Sequence, residues 1–357
     1  MNKAKVLVVD DSAFMRKLIS DFLSEDPRLE VIGTARNGQE ALRKIEELKP
    51  DVVTLDVEMP IMDGLETLKH IMQQHPLPVV MISSTTREGA ENTILALQYG
   101  AVDFIAKPSG AISLDLYKIK DQIVEKVLLA SHANLQCMKR KSKIPIPPQK
   151  QYSKIESNEP IKTNTTKKKI VCIGTSTGGP RALQHVLSKL PETINAPILI
   201  VQHMPKGFTK SLASRLDSIC RIRVKEAEDG ELIQKGTAYI APGGQHLQVK
   251  KIGMSLAVHL DESPARNGHR PSVDVMFESL CTLADYEKIA VIMTGMGSDG
   301  TEGLKQLKAS GNTKVIAESA ESSVVFGMPK SAIAANVTDE VVHLDKIADA
   351  IMKYVDA

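Results

Sequence analysis

The chain has 357 residues, 45 basic and 43 acidic, with 42% hydrophobic and 25% charged residues, no tryptophan and four cysteines. That length favours two domains with separate cores, and the composition excludes collagen-like and low-complexity classes. No apolar run approaches the roughly 20 residues that span a bilayer, and Cys137, Cys172, Cys220 and Cys281 form no Cys-x-x-Cys pair, which excludes a disulfide framework and a thiolate zinc site.

The N-terminus runs straight into an apolar β-branched stretch with no signal-peptide region before it, so a cytoplasmic location is expected. From there, short β-branched runs alternate with amphipathic helices, the pattern of a parallel sheet covered by helices. Residues 6–9 read as a strand, followed by a helix with Phe14, Leu18, Ile19 and Phe22 on one face. Residues 31–33 read as a second strand, and Ala41, Leu42, Ile45 and Leu48 mark the next helix. Runs at 52–55, 79–82 and 103–106 complete five strands.

The charge is unevenly spread. Residues 136–169 hold ten lysines or arginines and two glutamates, a net of +8, which leaves −6 on the rest of a chain whose total is +2. The same stretch carries Pro145, Pro147, Pro148 and Pro160, many polar residues and no sustained apolar period. Such a segment cannot bury enough apolar surface to offset its ordering entropy and reads as a tether, with a phosphate-binding arm as the alternative. The expected organisation is a first domain over residues 1–125, a basic linker over 126–167 and a second domain over 168–357. In that second domain the clearest strands are 169–173, 196–201, 238–240, 289–293 and 313–316.

In an open parallel sheet, chemistry gathers outside the carboxyl ends of the strands. In the first domain those ends carry Asp10 and Asp11, Asp56, Ser83 and Lys107. Converging carboxylates repel one another unless a hard cation sits among them, and Mg²⁺ suits carboxylates, a carbonyl and a phosphate oxygen. A lysine and a hydroxyl complete a phosphoryl cradle with Asp56 as the carboxylate nucleophile. The plainer reading makes Asp11 or Ser12 a helix cap and Asp56 the start of a turn. Together with residues 59–64 (MPIMDG) and Lys107-Pro108, these positions resemble a two-component receiver domain. The resemblance implies a flavodoxin-like five-stranded parallel sheet, Asp56 as phospho-acceptor, and Mg²⁺ held by Asp10, Asp11, Asp56 and the carbonyl of Glu58. It further implies phosphoryl contacts from Ser83 and Lys107, and Phe104 at the aromatic switch position, without a hydroxyl.

The second domain opens with a strand ending in Gly174-Thr175-Ser176-Thr177-Gly178-Gly179-Pro180. A P-loop would need a lysine where Pro180 stands, and Thr175-Ser176 breaks the Gly-x-Gly-x-x-Gly of dinucleotide sites, although the spacing keeps a nucleotide-binding loop open. Gly174, Ser176 and Gly178 fit the Gly-x-Ser-x-Gly elbow, placed between strand and helix as that mechanism requires. A serine needs a base and an orienting acid. His203 directly follows a buried strand, with His246 and His269 as rivals; Asp299 lies in a Gly-rich loop at the same edge, with Asp229 and Asp274 as alternatives. The order Ser…His…Asp differs from the Ser…Asp…His of α/β-hydrolases and disfavours that fold.

Residues 174–180, Gln202-His203-Met204-Pro205, Ala241-Pro242-Gly243-Gly244, residues 267–274 (NGHRPSVD) and Thr294-Gly295-Met296-Gly297-x-Asp299-Gly300 together resemble the chemotaxis protein-glutamate methylesterase (CheB) family, in that family's order and behind a receiver. The resemblance implies a doubly wound α/β catalytic domain with Ser176 as nucleophile, His203 as general base and Asp299 as the orienting acid. It places the oxyanion hole at the Met296 N–H with Thr177 nearby, and needs no cofactor in that domain. It further implies a phosphorylation-regulated hydrolase that demethylates glutamyl esters of methyl-accepting chemotaxis receptors and deamidates receptor glutamines. A chemotaxis histidine kinase would be the phosphoryl donor, and membrane association would arise only through the receptors. Arg266 or Arg270 is expected near the acidic product. Residues 170–357 contain no helix-turn-helix pattern, so no nucleic-acid partner is expected.

Overall fold

The computed structural model describes residues 3–107, 117, 119–134 and 168–357. The expected linker falls largely outside the described residues. The chain divides into two compact units.

The first unit carries β1 (Ala4–Val9), α1 (Ala13–Ser24), β2 (Leu29–Ala35), α2 (Gly38–Leu48), β3 (Val52–Asp56), α3 (Gly64–Gln74), β4 (Val79–Ser83), α4 (Arg87–Tyr99), β5 (Asp103–Ala106) and α5 (Lys120–Ser131). All pairings are parallel, in the order β2-β1-β3-β4-β5, which is the flavodoxin-like order. Covered on both faces, β3 and β4 are buried throughout, the reason they read as continuous apolar runs. Four helices start on side-chain caps, as Ser12, Asn37, Asp63 and Thr86 accept from backbone N–H groups of the first turn. α5 runs through position 125, where sequence reasoning ends the first domain.

From residue 168 onward the chain carries β6 (Lys168–Thr175), α6 (Gly179–Leu187), β7 (Ile198–Gln202), α7 (Phe208–Ile219), β8 (Arg223–Glu226), β9 (Thr237–Ile240), β10 (His246–Ile252), β11 (Ser255–Asp261), α8 (Val273–Ser279), a 3₁₀ turn, β12 (Tyr286–Ile292), α9 (Thr301–Ala309), β13 (Thr313–Glu318), α10 (Met328–Ala334), β14 (Glu340–Val342) and α11 (Leu344–Val355). Seven strands form a parallel sheet in the order β14-β13-β12-β6-β7-β9-β8, and β10 and β11 pair as a separate antiparallel hairpin. From β6 the chain first winds outward through β7, then returns to the other side through β12. The strand order therefore reverses between β6 and β12, where an open α/β sheet places its ligand crevice. The expected strands are all present. Sequence reasoning did not give β8, β14 or the hairpin, whose strands are short or two-faced.

Candidate functional site

In the first unit the order reverses between β1 and β3, and Asp10 and Asp56 sit at those two strand ends. Asp10 and Asp56 are buried while Asp11 is exposed, and ligand atoms of all three carboxylates lie within 4.8 Å of one another. Asp11 does not cap α1; Ser12 does. The Arg16 guanidinium clamps the acidic loop by donating to the carbonyls of Asp10 (2.8 Å) and Asp11 (2.9 Å). Lys107 Nζ stands 2.9 Å from Asp56 and 3.2 Å from Asp10. Burial, then the charge of Asp10, pushes Asp56 up to about 6 against the pull of Lys107, and burial raises Asp10 as well. One ammonium among three carboxylates leaves uncompensated negative charge in a largely buried crevice. A divalent cation bound by oxygen ligands fits that donor set. The Ser83 hydroxyl is buried and donates to the Gly89 carbonyl (3.0 Å), and the Glu58 side chain accepts from Ser84 Oγ (2.9 Å).

In the second unit Ser176 follows the end of β6, and Gly178 takes a left-handed conformation, φ +78°, that lets α6 begin at once. The loop after β12 supports this turn from beneath. Thr294 O accepts from Ser176 N–H (3.0 Å) and Thr175 Oγ1 (3.0 Å), and Thr294 Oγ1 donates to Thr177 O (2.9 Å). Gln202 Nε2 donates to Ser176 O (3.0 Å) and His203 O (3.2 Å), tying the end of β7 to the serine. The approach at Gly295 is tight, since a Cβ there would lie 2.8 Å from Ser176 Cβ and 2.4 Å from Met328 Sδ. Gly295→Ala is expected to cost about 1–3 kcal/mol in overpacking and to lower any turnover that depends on Ser176 as the serine is displaced. Thermal unfolding and steady-state kinetics on the folded variant measure the two effects.

His203, just past β7, directs Nε2 to Asp299 Oδ2 at 2.8 Å. Asp299 is buried and takes three further donors: Val273 N–H (2.7 Å) on Oδ2, and Ser272 Oγ (2.8 Å) and Asp274 N–H (3.1 Å) on Oδ1. Burial pushes this carboxyl up, but the bonds from His203, Val273 and Ser272 win and hold it well below the usual carboxylate range. An ionised Asp299 accepts the Nε2 proton, which leaves the His203 Nδ1 lone pair as the basic site. Nδ1 is buried and makes no hydrogen bond. His269 stacks flat on the His203 ring, with centroids 3.9 Å apart and planes at 10°.

The rival residues are otherwise engaged. His246 is fully buried, with Nδ1 accepting from Ser272 N–H (3.1 Å) and Nε2 donating to Pro264 O (3.2 Å); it holds the loop that holds Asp299. Asp229 accepts from Leu260 N–H at the hairpin. Asp274 accepts from Gly303 N–H (2.7 Å), and burial with the nearby Asp299 charge pushes it up to about 6. Arg266 pairs with Glu278 (2.5 Å), and Arg270 donates to the carbonyls of Glu262 and Ser263, so both arginines serve the fold. Thr177 is buried and Met296 half-buried beside Ser176. Sequence reasoning missed Ser272, Thr294 and Glu318. Glu318 was visible as an acid closing a strand at the same sheet edge; the other two carried no signal beyond their motifs.

A carboxylate cradle at one switch point and a serine elbow with a histidine–carboxylate pair at another define a response regulator coupled to a hydrolase domain. The response regulator receiver family matches residues 6–116 and the CheB methylesterase family residues 171–351. The chain is 64% identical over 355 residues to the protein-glutamate methylesterase/protein-glutamine glutaminase of Geobacillus kaustophilus, covering 99% of each. It is 56% identical over 352 residues to that of Bacillus subtilis, covering 97% of each. The chain belongs to the CheB methylesterase family. Among solved structures, the Thermotoga maritima CheB methylesterase catalytic domain is 47% identical, with a TM-score of 0.51, covering 53% of this chain and all of that one. Among the described residues no helix is long and apolar enough to cross a membrane.

Proposed function

We propose that this protein hydrolyses glutamyl methyl esters on chemotaxis receptors, releasing methanol, and deamidates receptor glutamines, with Ser176, His203 and Asp299 as the reacting triad. The observation that carries this reading is the buried His203 Nδ1, which has no hydrogen bond, while Nε2 is locked onto an ionised Asp299. That tautomer is a base in waiting next to the half-buried Ser176, whose loop is tied to the end of β7 by Gln202.

Ser176 Oγ attacks the ester carbonyl as His203 Nδ1 takes its proton, and Asp299 stabilises the imidazolium. The oxyanion forms toward the backbone at Met296 and Thr177, where each donor is typically worth roughly 3–4 kcal/mol. His203 returns the proton to the departing methoxide, and methanol leaves a Ser176 acyl ester. Water, deprotonated by the same nitrogen, cleaves that ester and restores glutamate. At a glutamine the same steps release ammonia. Incubation with methylated receptor and with glutamine-bearing receptor should release methanol and ammonia respectively, and quenched samples should carry the acyl group on the peptide containing Ser176. Release of neither product would overturn the reading.

Regulation is assigned to the first unit. Asp56 Oδ attacks the phosphoryl group of a histidine-kinase donor, Lys107 neutralises the product, and Ser83 turns from Gly89 toward the new oxygens. Mg²⁺ held by Asp10, Asp11, Asp56 and the Glu58 carbonyl supplies charge neutralisation when bound. The added charge of about −1.5 to −2 is the switching signal. Asp56→Asn is expected to abolish phosphoryl uptake while leaving basal hydrolysis within about twofold, because it removes the nucleophile and touches no residue of the proposed triad. Labelling with a small phosphoryl donor and Mg²⁺, followed by methanol assay, reads both; activation surviving in the variant would displace Asp56 as the acceptor.

A further inference from the structure

We propose that Glu318 is a positioning residue for the proposed esterase, a buried carboxylate that fixes the serine elbow through Thr294. The proposal rests on the triad reading and adds a residue that touches no reacting atom.

Glu318 closes β13, one strand away from β12 in the sheet, and is fully buried. Its Oε2 accepts from Thr294 N–H at 2.8 Å and its Oε1 from Ser322 Oγ at 2.9 Å. Ser322 Oγ in turn accepts from Leu344 N–H at 3.0 Å, which ties the carboxylate to the start of α11. Thr294 is thus gripped on both sides. Its amide is held by Glu318, while its carbonyl and hydroxyl hold the Ser176 amide, the Thr175 hydroxyl and the Thr177 carbonyl. A two-bond path therefore runs from Glu318 to the backbone of Ser176 and Thr177 and to the side-chain hydroxyl of Thr175.

A fold in need of no more than a filled core would place an apolar side chain here, because a buried acid costs desolvation that two neutral donors only partly return. Burial pushes Glu318 up to about 7, and only the Thr294 and Ser322 bonds pull it down. What the acid supplies that leucine cannot is an acceptor for the Thr294 amide, two residues before Met296 in the same loop. Small displacements of a nucleophile and its oxyanion donors are costly, since about 1 Å can remove a hundredfold in rate.

The test compares Glu318→Leu, Glu318→Gln and Ser176→Ala in the full chain. Leucine matches the volume but leaves the Thr294 amide without an acceptor. Glutamine keeps a carbonyl for Thr294 and can donate its amide to Ser322 Oγ, whose proton can turn to Ser319 O, 3.4 Å away. Glu318→Leu is expected to lower kcat for receptor demethylation roughly ten- to hundredfold with KM within about twofold, and Glu318→Gln to recover most of it. Amide exchange at Ser176 and Thr294 should rise roughly ten- to hundredfold in Glu318→Leu and return toward wild type in Glu318→Gln. Unchanged exchange and unchanged kcat in folded Glu318→Leu overturn the proposal, as does a loss confined to KM. If Glu318→Leu does not fold, Glu318→Gln decides alone. Near-wild-type exchange and kcat support the acceptor role, and a loss as deep as that in Ser176→Ala overturns it. Full activity in Ser176→Ala would instead strike the triad, and the exchange measurement would still decide what Glu318 holds.

Discussion

Ser176→Ala is expected to lower kcat for methyl ester hydrolysis by about five to six orders of magnitude, with KM nearly unchanged. No neighbour can replace the hydroxyl: the Thr175 side chain is buried and donates to Thr294 O, and Ser272 Oγ is bound to Asp299. The backbone that seats the substrate carbonyl does not depend on the serine side chain, because the Ser176 amide is held by Thr294 O whatever stands at Cβ. His203→Ala should fall nearly as far, since a serine at its free pKa is a poor nucleophile. The informative measurement is the double variant. If the two residues act as one unit, Ser176→Ala combined with His203→Ala is no slower than either alone, because each single change already removes the whole proton-coupled attack. Losses that multiply would mean that the two side chains act independently, and the proposed triad would fall with them.

How far the sequence carries depends on which physical signal each residue leaves. Parallel strands buried on both faces write themselves as unbroken β-branched runs, so all five strands of the first unit and β6, β7, β9, β12 and β13 of the second were legible. Residues at their carboxyl ends were legible for the same reason: Asp10, Asp56, Ser176 and His203 each follow a run that ends abruptly in polar or glycine residues. Asp299 was harder, lying seven residues beyond β12, and required the argument that a serine and a histidine need an acid on the same edge. Sequence reasoning could not reach the partners that give these groups their properties. The Ser272 hydroxyl and the amides of Val273 and Asp274 meet Asp299 across about 25 residues of chain, and no local periodicity records such a pairing. His246 resembled a base in sequence because a histidine after a Gly-Gly turn carries the same local pattern whether its nitrogens face substrate or, as here, two backbone groups. Arg266 and Arg270 were open in sequence between a substrate contact and a structural pairing, since a charge reads identically whether it awaits a carboxylate ligand or braces a loop; the structure shows the structural pairings. The hairpin β10–β11 sits outside the main sheet, with a buried base and an exposed tip, so its short apolar runs were masked by Lys250, Lys251 and Gly253 at that tip.

Asp299→Asn should cost about three to four orders of magnitude in kcat, and the geometry says why an isosteric amide fails. All four groups around this carboxylate are donors, two to each oxygen. An amide must turn its NH₂ toward one pair. Turned to the Oδ2 side, it faces Val273 N–H and makes His203 present a lone pair at Nε2, which moves the imidazole proton to Nδ1 and removes the base. Turned to the Oδ1 side, it faces Asp274 N–H, whose 3.1 Å bond is the longest of the four, while Ser272 Oγ can rotate to accept. The second arrangement keeps the tautomer but offers a neutral oxygen to the imidazolium, so stabilisation in the transition state is lost with the ground state nearly intact. Either way kcat falls more than KM changes. The stability of the two proteins should also diverge with a defined sign. The folded-state pKa of Asp299 is depressed, so its contribution is complete above the unfolded value of about 3.9 and disappears as pH falls through the lower folded value. Thermal unfolding should therefore show wild type above Asp299→Asn by a margin that does not shrink from about pH 8 to pH 5 and narrows only below about pH 4. A margin that shrinks between pH 7 and pH 5 would mean that Asp299 titrates there, and that the carboxylate assigned to hold His203 is protonated when it should be charged.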